Sequence, residues 1–161
     1  MSRCIANCLV AALFVAALGC QSAPDKELQA GDLFKEYCAA WTAHDPDKVI
    51  SYLTEDCMYE HVPRGKAYQG KEVIRAFAKA TFEAVPDFTV EVTSVFASGD
   101  WLASEWVMSG TVSLAHPDFP DIGTKFTVRG SSIVQLREGM ILRNADYWDR
   151  STFLRQTGQM N

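Results

Sequence analysis

The strongest candidate for acid–base chemistry in this chain is an aspartate near its C-terminal end. If Arg143-Asn144-Ala145-Asp146-Tyr147-Trp148-Asp149 is a strand, alternation puts Leu142, Asn144, Asp146 and Trp148 on one face. A packed core has no use for a carboxylate unless it is paired or functional. Asp146 therefore either lies inside an apolar pocket, where it handles a proton, or looks at solvent as an ordinary surface acid. A second alternation comes earlier: Cys57, Tyr59 and His61 share one strand face, and Met58, Glu60 and Val62 share the other.

Other chemistries find little footing. His44, Asp45 and Asp47 lie on one turn without convergent spacing, so no metal site is expected. No glycine-rich phosphate loop supports a nucleotide, and no cofactor is expected. The formal net charge is -5 and the Lys and Arg residues are scattered, which argues against a nucleic-acid partner. Cys38 and Cys57 are either a disulfide pair or two buried thiols; neither has the spacing of a nucleophile.

The elements that must position Asp146 follow from periodicity. A chain of 161 residues, 48% hydrophobic, supports a single domain with one core or one pocket. Leu33, Phe34, Tyr37, Cys38, Trp41 and Thr42 recur at helical spacing and predict a helix from about Lys26 to Ala43. Asp45 and Pro46 supply a cap and a first turn for a second helix, to about Leu53. Cys57 to Val62 reads as a strand and Pro63-Arg64-Gly65 as a loop. Tyr68-Gln69-Gly70 leads into a third helix, Lys71 to Ala84. Strands are then predicted over Phe88–Ala97, Trp101–Leu114, Lys125–Arg137 and Ile141–Trp148, with turns at Ser98-Gly99-Asp100 and Glu138-Gly139 and a proline-rich loop from His116 to Gly123. A short helix from Ser151 closes the chain, with Asp149 as its cap. Helices followed by a long meander predict an α+β layer. Gly110 and Gly130, in mid-strand, predict a strongly curved antiparallel sheet wrapped around the three N-terminal helices, with a cone-shaped cavity inside.

The first residues have another purpose. Met1-Ser2-Arg3, the apolar run Ile5–Leu18 and Ala17-Leu18-Gly19-Cys20 read as a bacterial export signal over residues 1–19. Its close resembles a lipoprotein cleavage box, which implies lipidation of Cys20, a tether over 20–27 and a place on the periplasmic side of the outer membrane. On this reading the membrane is met only through the lipid.

From Leu28 to Gly158 the chain resembles the nuclear transport factor 2-like superfamily, and within it the SnoaL-like polyketide and ester cyclases. The pieces that carry the resemblance are Phe34–Trp41 with His44-Asp45, Tyr59-Glu60-His61, Gly70-Lys71-Glu72, Trp106–Thr111, Phe126–Gly130, Glu138-Gly139, Asp146-Tyr147-Trp148-Asp149 and Leu154–Gly158. The resemblance implies that Asp146 is the acid–base group, that Tyr59 and His61 polarise the substrate or hold a water, and that the protein is a homodimer. Two departures stand out. Trp106 and Met108 occupy the positions where limonene epoxide hydrolases carry an arginine and a second aspartate. Gly110-Thr111 is followed by Val112, where polyketide cyclases often place a histidine.

The implied pocket is lined by Tyr37, Trp41, Tyr59, Trp106, Met108 and Trp148 around Asp146, and would take a small apolar or carbonyl-containing molecule. Three classes of function follow: a cofactor-free cyclase or isomerase, an exported ligand-binding protein without catalysis, or an assembly subunit with the same fold.

Overall fold

The computed structural model describes residues 23–113 and 123–160. The expected export signal, Cys20 and most of the proline-rich loop lie outside them. Helix α1 (Ala23–Thr42) begins within the stretch read as a tether. It is followed by α2 (Pro46–Ser51), β1 (Leu53–His61), a 3-10 turn (Val62–Arg64), β2 (Lys66–Gln69), α3 (Lys71–Ala84), β3 (Thr89–Ser98), β4 (Trp101–Thr111), β5 (Lys125–Arg137), β6 (Met140–Trp148) and α4 (Arg150–Gln156). Local chemistry sets several boundaries. The Asp45 carboxylate accepts from Lys48 N at 2.9 Å to cap α2, and Asp149 caps α4 through Thr152 N at 2.9 Å. Glu138 and Gly139 both take positive φ, as a two-residue hairpin turn requires.

The six strands form one sheet in the order β2-β1-β6-β5-β4-β3. Two expectations need correcting here. Lys66–Gln69, of which Tyr68 and Gln69 were expected only to lead into the third helix, is an edge strand paired with β1, and the sheet is not wholly antiparallel because β1 and β6 run parallel. Side-chain alternation sets which face a residue takes but carries no information about strand direction. Parallel neighbours need a long crossover, here supplied by α3 and the hairpins between β1 and β6.

The sheet and the helices share one core, which includes Phe34, Tyr37 and Trp41 of α1, Val49 of α2, Ile74 of α3, and Leu53, Val128, Val134 and Ile141 of the strands, all buried. A third correction concerns the face of β6. The register moves from Gln135–Arg143 to Leu136–Ile141, which leaves Leu142 as the extra residue of a bulge. Ile141 is buried in its place, and Leu142 is only partly covered. Asn144, Asp146 and Trp148 keep their common face beyond the bulge.

Gly130 permits close packing between neighbouring strands. A Cβ there would fall 2.3 Å from Cη2 of Trp106, so the indole lies directly on the β5 backbone. Gly130→Ala is expected to overpack this contact and lower stability by about 1–3 kcal/mol. A urea-unfolding comparison with Gly130→Ala/Trp106→Phe checks the cause: the smaller ring should restore part of the loss.

Candidate functional site

The concave side of the sheet and α1 enclose a predominantly apolar cavity with about 80 Å³ available to the centres of water molecules. This is room for several waters or one compact organic molecule. Tyr37, Trp41, Tyr59, His61, Trp106, Met108, Asp146 and Trp148 all line it. The fold thus brings together every residue singled out for the pocket, from α1, β1, β4 and β6. Phe34, Arg64, Phe77, Phe88, Ser132 and Asn144 line it too and were given no role by sequence reasoning. For Ser132 a signal was present. Alternation along β5 puts Phe126, Val128, Gly130, Ser132 and Val134 on one face, and a serine in such a row needs a partner.

Asp146 is held by three donors. Tyr59 Oη donates to Oδ2 at 2.6 Å, Ser132 Oγ donates to Oδ1 at 2.6 Å, and Asn144 Nδ2 donates to Oδ1 at 2.8 Å. Ser132 is fixed in turn by Trp106 Nε1, which donates to its Oγ at 2.8 Å. The contact between Trp106 and Gly130 therefore orients the carboxylate through one intervening hydroxyl. Strand register completes the arrangement: Tyr59 lies beside Asn144 and His61 beside Asp146 across the parallel pair, and Ser132 beside Asp146 across the antiparallel one.

Loss of hydration raises the Asp146 pKa, while the hydrogen bonds from Ser132, Tyr59 and Asn144 oppose the rise. The net direction is upward, so burial outweighs the three donors. Burial, and then the charge of Asp146, push the phenols of Tyr59 and Tyr37 well above their ordinary value. His61 moves the other way. Burial first, then the cationic Arg64 and Lys66, depress it to about 3, so it is a neutral imidazole at pH 7.

Several polar atoms of the lining are buried without a hydrogen-bond partner among the described residues: Tyr37 Oη, His61 Nδ1, Asn144 Oδ1 and Trp148 Nε1. Cys38 and Cys57 are buried free thiols, which settles the disulfide alternative. Burial raises both, Cys57 to about 11, and neither is an available thiolate. Among the described residues no cluster of His, Cys, Asp and Glu is arranged to hold a metal ion. His44 instead stacks on Phe82 at 4.8 Å, and its Nε2 lies 2.9 Å from the carbonyl of Phe88.

The family model for SnoaL-like polyketide cyclases matches residues 31–157. The cyclase aurE of Calcarisporium arbuscula is 31% identical over 127 residues, covering 78% of this chain and 90% of that protein. The ECF RNA polymerase sigma factor SigG of Mycobacterium tuberculosis is 30% identical over 93 residues, covering 58% of this chain and 25% of that one, so the match spans about a quarter of that relative's length. Two solved structures share the fold. One is a SnoaL-like cyclase structure from Jannaschia (TM-score 0.73, 19% identity, covering 84% of this chain and 95% of that one). The other is a protein from Catenulispora acidiphila with a ketosteroid isomerase-like fold, in complex with trimethylamine (TM-score 0.70, 24% identity, covering 79% and 92%).

The depressed His61 pKa has a consequence for stability. A folded value of about 3 against an unfolded value near 6.5 means that the unfolded chain binds the proton first. Stability from neutral His61 is complete above pH 6.5 and is lost as pH falls toward 3, by roughly 4 kcal/mol. Asp146, with its raised pKa, works in the opposite direction in acid. The difference between the wild-type protein and His61→Phe isolates the histidine. Urea midpoints from pH 7 down to 4 should fall more steeply for the wild-type chain.

Proposed function

We propose, from the premise that this chain belongs to the SnoaL-like polyketide cyclase family, that it is a cyclase- or isomerase-type enzyme in which Asp146 is the general acid–base. The observation that carries this reading is a partly buried carboxylate of raised pKa, held by three donors in an apolar cavity. Oδ1 accepts two of those hydrogen bonds and Oδ2 one, so Oδ2 has the lone pair open to a substrate proton.

The reaction runs through an enolate. Oδ2 takes a proton from the carbon next to a carbonyl, the C–H electron pair forms the C=C bond, and the carbonyl π pair moves onto oxygen. His61 and Tyr59 meet the charge that grows there. Tyr59 donates to Oδ2 at rest; once Oδ2 carries the proton it accepts poorly, and the phenol can turn to the enolate oxygen. The proton then returns to a different carbon, giving an isomer. Alternatively the enolate carbon attacks a second carbonyl of the same molecule, a ring closes, and Asp146 protonates the new alkoxide. The chain's own side chains carry each of these steps. Ketosteroid isomerase, with an aspartate base facing an oxyanion site, works by the same logic.

The reading extends to the N-terminal segment and the outer sheet face. Residues 1–19 direct export, Cys20 carries the lipid, and the chain pairs with a second copy through the outer face, where Phe96, Trp101, Ile133 and Tyr147 are exposed. Mass spectrometry of membrane-purified protein should find an acylated Cys20 at a new N-terminus, and light scattering should give the mass of a dimer.

The test of the chemistry is deuterium exchange at C1 of 2-tetralone in D₂O, followed by proton NMR. The protein should accelerate exchange, and Asp146→Asn should reduce the acceleration by about 10²–10⁴-fold. Ordinary exchange rates with retained binding of the ketone would favour a binding protein that uses the same cavity without turnover.

A further inference from the structure

Two of the unpartnered atoms in the cavity belong to rings in contact. His61 and Trp148 lie 5.4 Å apart between centroids, tilted at 43°. Their Nδ1 and Nε1 atoms are buried and have no hydrogen-bond partner among the described residues, although buried nitrogens of this kind nearly always have one. Both rings line the cavity, and His61 is 9% exposed. Their backing is apolar: Phe77 packs against His61 at 5.9 Å and Phe153 against Trp148 at 5.5 Å.

We propose that His61 Nδ1 and Trp148 Nε1 form a subsite for one uncharged carbonyl oxygen, and that the natural ligand is a compact neutral ketone, aldehyde or ester that presents this oxygen beside Asp146. The inference rests on the proton-transfer reading and names the ligand class of that site. An indole N–H donates only, so the ligand atom must accept. His61 is neutral, and with its proton on Nδ1 it is a second donor; a carbonyl oxygen has the two lone pairs to accept both. A hydroxyl oxygen would accept both as well, and Asn144 Oδ1, buried without a partner among the described residues, could take its proton; the carbonyl is chosen because only it makes a neighbouring C–H acidic enough for Asp146 to remove.

Charge placement favours a neutral oxygen in the resting complex. Asp146 and Trp148 are alternate residues on one strand face, roughly 7 Å apart along the backbone. A carbonyl oxygen and its neighbouring C–H bridge that span between the two side chains. An anion held there would be repelled by the Asp146 carboxylate. The field at His61 comes from Arg64 and Lys66, both cationic. When Asp146 takes the proton, the negative charge leaves the carboxylate and moves onto the oxygen, toward those cations. The subsite is therefore matched to an oxygen that is neutral when it binds and charged when it reacts.

The experiment titrates the purified full chain with 2-tetralone, the hydrocarbon tetralin and the anion 2-naphthoate, and follows ¹⁵N-labelled indole resonances, with Trp148 assigned from Trp148→Phe. Tetralone should bind roughly tenfold tighter than tetralin, and the preference should vanish in Trp148→Phe. The Trp148 indole proton should shift downfield with tetralone and not with tetralin. Equal affinity for ketone and hydrocarbon, an unmoved indole signal, a preference that survives Trp148→Phe, or no binding of tetralone overturns the proposal. So does tighter binding of 2-naphthoate, which would assign the subsite to an anion next to Arg64. The exchange assay separates this failure from failure of the Asp146 reading. Binding as expected without exchange removes the base and leaves the subsite, and exchange without the Trp148 responses does the reverse.

Discussion

The structure depends on keeping one carboxylate away from bulk water. Stripping the hydration from an ionised Asp146 costs several kcal/mol. Three hydrogen bonds to a charged acceptor, each about 1.5–3 kcal/mol, offset much of that and no more. The upward pKa shift records the remainder. Each donor must therefore be in place, and each comes from a different part of the chain: Tyr59 from β1, Ser132 from β5 and Asn144 from β6 itself. The sheet order that sets β6 between β1 and β5 is the arrangement that lets all three reach one side chain.

Sheet curvature and this network are linked through Trp106. The indole rests on Gly130, where no side chain stands in its way, and its N–H orients the Ser132 hydroxyl toward Asp146. A smaller residue at position 106 would leave both the concave wall and the hydroxyl without support. The polar content of the cavity is otherwise divided. The Asp146 carboxylate accepts three hydrogen bonds, while Tyr37 Oη, His61 Nδ1, Asn144 Oδ1 and Trp148 Nε1 have no partner among the described residues.

Much of this could be read from the chain. Helical spacing put Phe34, Tyr37, Cys38 and Trp41 on one face of α1, and they are buried together. Alternation placed Tyr59 with His61, and Asn144 with Asp146 and Trp148, on faces that do meet in one cavity. Asp45 and Asp149 were legible as caps because a cap depends on residues three positions away. Leu142 was misplaced because a bulge adds one residue and reverses the alternation behind it, and nothing in its own side chain marks that. The edge strand Lys66–Gln69 was missed because its covering pattern is almost wholly exposed and has no apolar alternation to read.

Periodicities of two or 3.6 residues and local caps were enough for the α+β class and for most inward strand faces, and they left Asp146 open between pocket and solvent. Only the folded chain could show that β1 runs parallel to β6, that Ser132 and Asn144 hold Oδ1, and that His61 faces Trp148 with Nδ1 and Nε1 unpaired among the described residues. The physical reason is range. Alternation is a property of neighbours along the chain, whereas hydration, hydrogen-bond partners and pKa belong to whatever the folded chain brings within a few ångströms. Asp146 and Tyr59 are 87 residues apart in sequence and 2.6 Å apart in the cavity.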